Sequence, residues 1–163
     1  RSRLTAPASA RGVNSNVRPQ NMQLRTPSGE LSLKLLHVTP AQSPSQPDLH
    51  VELSATVQNY SATGVRAWLE WPDVKAFVFE LAALTREVRG EAKLFAMSPE
   101  DFELVVANLD SRGHFGINFA VGSRIHSDNG QFQCGLRGGL EVELSQVEAL
   151  LQWFHAAINR AEA

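Results

Sequence analysis

The sequence predicts an α+β fold, a mainly antiparallel sheet of about six to eight strands packed with two helices in the order strands, helix, strands, helix. Three observations carry that prediction. Apolar residues recur with period two along most of the chain, the pattern of strands with one buried face. Two segments instead space their apolar residues by three and four, as helices do when they lay one stripe on a sheet. The breaks between strands are short turns, which favours hairpins over βα crossovers. At 163 residues the chain has the size of one ordinary domain, and no internal repeat stands out.

Residues 1–21, RSRLTAPASARGVNSNVRPQN, hold only isolated apolar residues among Arg, Ser, Ala, Pro and Asn. They are expected to form a flexible basic arm, with 22–163 as the single domain. An acid-free, Arg- and Ser-containing leader also resembles an organellar transit peptide, and Met22 offers an internal start. The strand expected from Leu31 to Val38 changes phase between Leu35 and Leu36, which predicts a bulge or burial on both faces. Thr39–Asp48, with three prolines, reads as a loop between strands. Leu49, Val51, Leu53, Ala55 and Val57 then alternate with polar residues, and Val65, Ala67, Leu69 and Trp71 continue that pattern.

From Pro72 the period becomes helical through Val74, Phe77, Val78, Leu81, Leu84 and Val88, with Gly90 as the stop. Phe102, Leu104 and Val106 lead through Asp110-Ser111-Arg112-Gly113 into Phe115, Ile117, Phe119 and Val121, a hairpin. Phe132, Cys134, Leu136, Gly138, Leu140, Val142 and Leu144 predict one strand, or two joined at Gly138-Gly139, buried on one face throughout. Ser145-Gln146-Val147-Glu148 fits a capping box. It opens a helix whose apolar stripe is Val147, Leu150, Leu151, Phe154, Ala157 and Ile158, with Gln152, His155 and Asn159 outward.

Hydrophobic content of 43% and charged content of 20% exclude a disordered, collagenous or coiled-coil chain. No apolar run approaches the roughly 18 residues needed to cross a bilayer, so no membrane association is expected. One cysteine, Cys134, cannot form an internal disulfide, and a cytoplasmic location fits best. Charge is unevenly placed: up to Gly29 there are five arginines and no acid, and from Glu30 onward ten Lys plus Arg face seventeen Asp plus Glu. An acidic body disfavours nucleic acid as a partner.

Signatures of chemistry are sparse, and no cofactor is expected. Gly135, Gly138 and Gly139 lie inside a strand, where close packing explains them better than phosphate binding. Ser123, His126 and Asp128 could be named as nucleophile, base and acid, but a solvated loop holding Gly122-Ser123 accounts for them. The histidines His37, His50, His114, His126 and His155 lack metal-ligand spacing, and His126-x-Asp128 is the best fragment. His50 and His155 are expected on outward faces and Cys134 as a buried thiol. Glu141 and Glu143 share one strand face, and Glu52 and Glu70 point outward on others. Such acids suit a solvated face, a carboxylate catalytic site or a partner surface. Trp68, framed by Arg66 and Glu70, has the composition of an interface anchor. Trp68, Glu141 and Glu143 are therefore the candidate partner-binding residues.

The segments VKAFVFELAAL, GEAKLF, FELVVANLDSRGHFGINFAV and GGLEVELSQVEALLQWF together resemble the small bacterial WapI-type immunity proteins. The likeness spans about Leu31 to Ile158. It implies a non-catalytic protein that neutralises a cognate toxin domain by occlusion, through its acidic face. Two other readings stand beside it: an enzyme with a carboxylate site in a sheet cleft, and a structural or regulatory homodimer paired through a strand edge or the last helix.

Overall fold

The computed structural model describes residues 21–40 and 47–162, so the expected arm lies outside the described residues apart from Asn21, and so does most of the Pro-rich loop. The chain forms β1 (Asn21–Thr26), β2 (Gly29–Val38), β3 (Leu49–Val57), β4 (Tyr60–Leu69) and α1 (Trp71–Glu87). It continues through β5 (Glu91–Phe95), β6 (Phe102–Asn108), β7 (His114–Ser127), β8 (Gly130–Glu143) and α2 (Leu144–Glu162). The α+β order is as predicted. The strands make two antiparallel four-stranded sheets, β1-β2-β3-β4 and β5-β6-β7-β8. Four strands and a helix thus occur twice, a repeat of topology that leaves no trace in the residues themselves.

Alternation places the core. Leu31, Leu33, Leu35, Leu49, Val51 and Leu53 of the first sheet and Leu104, Val106, Phe115, Ile117 and Phe119 of the second are buried in one cluster with both helix stripes. The register slips between Leu35 and His37, where the phase change allows a bulge. β1 was not anticipated, because Met22 and Leu24 alone are too few to show a period; both are buried on its inner face. The sheets approach through β3 and β4 against β7 and β8. Gly138 lets them do so, since a Cβ there would lie 2.7 Å from Val57 Cγ2. It is packed mid-strand and is no joint between two strands.

Helix ends are made by residues that local patterns did not identify. Trp71 opens α1 and is buried, so it does not extend β4 as expected. Its N–H donates to Asp48 Oδ1 at 3.3 Å, a cap supplied from before β3. At the other end Val88 takes the left-handed conformation, φ 52°, and its N–H donates to the Leu84 carbonyl, so Val88 ends the helix two residues before the predicted Gly90. In α2 the expected capping box is displaced by two residues: Ser145 lies inside the helix, and Gln146 Oε1 accepts the Glu143 N–H at 3.2 Å. That is the third-position half of a capping box, with Glu143 in the capping place. The Gln146 Nε2 donates to the Arg25 carbonyl at 3.0 Å, which ties α2 to β1. Trp153, absent from the predicted stripe, is buried edge-on against Phe154, and Phe154 meets Phe77 of α1 at 5.1 Å.

The largest departure is in β8. Leu140 and Val142 are buried as expected, but Phe132 is 60% exposed and Cys134 is a free, exposed cysteine. β6 pairs with β7 only as far as Val121. Beyond it, Gly122 keeps one backbone bond to the Asp101 carbonyl and Ser123–Ser127 pair with β8 alone, so 122–135 forms a two-stranded ribbon beyond the sheet. Gly122, Ser123 and His126, expected in a loop, belong to this ribbon.

Candidate functional site

The outer face of the second sheet is laid out by strict alternation in rows across four strands. One row reads Glu91, Ala107, Gly116, Glu141, the next Lys93, Val105, Asn118, Gly139, and the third Phe95, Glu103, Ala120, Arg137. The central strands thus present a floor of Ala107, Gly116 and Ala120 beside Val105, Asn118 and Glu103, and the other charges stand on the two edge strands. A partner's main chain can approach such a floor closely, while rim charges set orientation. Leu109, 57% exposed, lies over Gly116, whose added Cβ would sit 3.0 Å from Leu109 Cδ2.

The turn between β6 and β7 closes one end of this face. Asp110 Oδ1 accepts the N–H groups of Arg112 at 2.8 Å and His114 at 3.2 Å, and Oδ2 lies 2.7 Å from His114 Nδ1. Gly113 takes a positive φ of 88° to complete the turn. The hydrogen bond with the His114 ring, followed by those of the His114 and Arg112 backbone, lowers the Asp110 carboxyl from 3.8 to about 2. In return the bond to Asp110, and then its charge, raises His114 above 6.5, and Glu141 adds to that rise. His114 pairs across the strands with Glu143, so the exposed Glu141 and Glu143 stand beside a third carboxylate and an imidazole.

Trp68 is placed elsewhere. It lies on β4, where its ring stacks on His50 with centroids 4.4 Å apart and planes 8° from parallel. Burial, followed by the nearby Arg66 and His37, lowers the His50 pKa. The Trp68 carbonyl accepts the Met97 N–H at 2.9 Å, just past the end of β5. Trp68 thus belongs to the first sheet and meets the chain just past β5, whereas Glu141 and Glu143 lie on β8, the opposite edge strand of the second sheet. The three candidate residues are not gathered into one cluster.

The remaining candidates are spread out. Glu52 sits between Lys34 and Arg66 at 3.7 and 3.9 Å; Glu70 and His155 are exposed, and His50 is outward on the polar face as expected. A depression of about 530 Å³ between α1 and β5 is lined by Asp73, Ala76, Glu80, Glu91, Lys93 and Phe95. Two of its acids are engaged: Glu91 holds Lys93 Nζ at 2.6 Å, and Glu80 Oε2 accepts the Lys93 N–H at 3.1 Å. Among the described residues no group of three His, Cys, Asp or Glu could hold a metal ion. No helix among them is long and apolar enough to cross a membrane.

Sequence reasoning missed Leu109 and the Asp110–His114 pair. For the pair the signal is an Asp four residues before a His across a Gly turn, a spacing that an ordinary turn also produces; Leu109 carries none. No family model, curated protein or solved structure matches the chain.

Proposed function

We propose that this chain is a non-catalytic binding protein that presents the outer face of its second sheet to a basic protein partner. Its resemblance to WapI-type immunity proteins makes that partner a bacterial toxin domain, occluded in the cytoplasm. The observation that carries the reading is the exposed pair Glu141 and Glu143 at one edge of a floor that includes Ala107, Gly116 and Gly139, with Leu109 exposed upon it, while Lys93 on the same face is held by Glu91. A toxin that cleaves nucleic acid needs a basic groove, and exposed carboxylates compete for such a groove while steering the encounter.

The test is neutralisation of a toxin domain encoded beside the gene, with association followed at low and high salt. Charge reversal of Glu141 and Glu143 together is expected to slow association about tenfold or more at low salt, with the difference shrinking as ions screen it. Trp68→Ala separates two roles: faster dissociation places Trp68 in the interface, and unchanged kinetics confine the interface to the second sheet. Neutralisation that ignores the glutamate reversal would refute this face as the binding surface.

A further inference from the structure

The ribbon 122–135 has a side that continues the core face of its sheet into solvent. Cross-strand pairs on that side run Val121 with Leu136, Ser123 with Cys134, and Ile125 with Phe132. Val121 is buried, whereas Ile125 is 51% and Phe132 60% exposed. At the base of the ribbon the start of β4 faces it across a groove of about 340 Å³, whose apolar lining of Ala62, Val65, Val121 and Leu136 is interrupted by Thr63 and Ser123. Phe132 and Ile125 stand two pairs beyond Leu136 and Val121, about 14 Å along the strands, and Cys134 with Ser123 lies midway.

That spacing makes the side complementary to itself. A two-fold axis crossing the strands at the midway level brings the Phe132 and Ile125 of each copy over the groove of the other, and both sets of contacts form at once. Charge favours the same occupant. Two acidic bodies repel each other over most of their surfaces, but residues 122–136 carry only Arg124 and Asp128 as formal charges, and Arg124 is engaged by Glu100.

We propose that two copies of this chain pair through the ribbon, apolar side to apolar side, with the two-fold axis at the level of Cys134. This dimer is independent of the toxin-binding reading and uses a different surface. Sedimentation equilibrium of the full chain across the micromolar range is expected to show a monomer–dimer equilibrium. Phe132→Glu and Ile125→Lys should each weaken it about tenfold or more, as loss of a central apolar anchor does. Circular dichroism should stay unchanged, because both side chains are exposed.

Cys134 is the chain's one cysteine, so oxidation by copper phenanthroline reports the axis directly. A disulfide-linked dimer should form readily in the parent chain and far more slowly in Phe132→Glu. A monomeric parent chain, a dimer indifferent to both substitutions, or equal rates of crosslinking would each overturn the proposal. Reversal of Glu141 and Glu143 should leave the dimer in place, so this proposal and the toxin-binding one can fail separately.

Discussion

Leu140 and Val142, near the end of β8, are sealed in the core, whereas Phe132 and Cys134, earlier on the same face of the same strand, stand in solvent. Alternation is the same in both halves, and both pair with β7 in unbroken register. What differs is the layer beneath. The later half lies opposite the first sheet and is followed by α2, while the earlier half runs past the last residue that β6 pairs, Val121. A strand's period therefore reports which side chains share a face, and the length of its neighbours decides how much of that face is covered.

The largest effect that would sharpen this contrast comes from truncating one residue in each half. Leu140→Ala is expected to cost about 2–5 kcal/mol in chemical denaturation, as deletion of buried methyl groups does. Phe132→Ala, measured as a monomer, should stay within about 0.5 kcal/mol. Equal losses at the two positions would mean that the ribbon is covered in solution.

Gly122, where the sheet gives way to the ribbon, comes next. An added Cβ would lie 2.5 Å from the Glu100 carbonyl oxygen, and the Gly122 N–H donates to the Asp101 carbonyl at 3.0 Å. Gly122→Ala should therefore destabilise by about 1–3 kcal/mol through overpacking against backbone. A neutral result would place the 98–101 turn further from β7.

Beyond Val142 the chain enters α2 through a cap held by a side chain. Gln146→Ala should cost about 1 kcal/mol, since it orphans the Glu143 N–H and frees the Arg25 carbonyl. Ser145→Ala, inside the helix and exposed, should be neutral or slightly stabilising, because Ala is the better helix former. The opposite ranking would restore the capping box at Ser145.

The smallest effect concerns the turn at the other end of β7. Asp110 is lowered in the folded state, so its contribution is present above 3.8 and is lost as pH falls toward about 2. His114 is raised, so its contribution is present below 6.5 and is lost as pH rises through its higher folded value. The pair therefore supports the turn best between those two ordinary values, and modestly, because both side chains are open to solvent screening over more than a third of their surface. In an NMR titration, Asp110→Asn should bring the His114 midpoint back down; an unchanged midpoint would assign its rise to Glu141.

Much of this fold was legible in the residues. The stripes of α1 and α2, the bulge after Leu35 and the hairpin through Asp110–Gly113 all follow from spacing, because each is a local consequence of which side chains fall on one face. The candidate site was legible only in pieces. Glu141 and Glu143 announce a shared outward face, but Leu109, Gly116 and Ala107 join them only because β6, β7 and β8 pair in a particular register, and Trp68 departs because its strand belongs to the other sheet.

The sequence by itself determined the α+β class, the antiparallel pairing and the inward side of nearly every strand, since backbone periodicity is set within a few residues. Tertiary structure alone decided that eight strands divide into two sheets, that Asp48 and Gln146 provide the caps, and that Cys134 faces water. Those outcomes depend on groups distant in the chain: a carboxylate that arrives from before β3, a carbonyl on β1, and a sixth strand that begins pairing only at Val121. Burial requires a second surface, and no stretch of residues records where its covering surface ends.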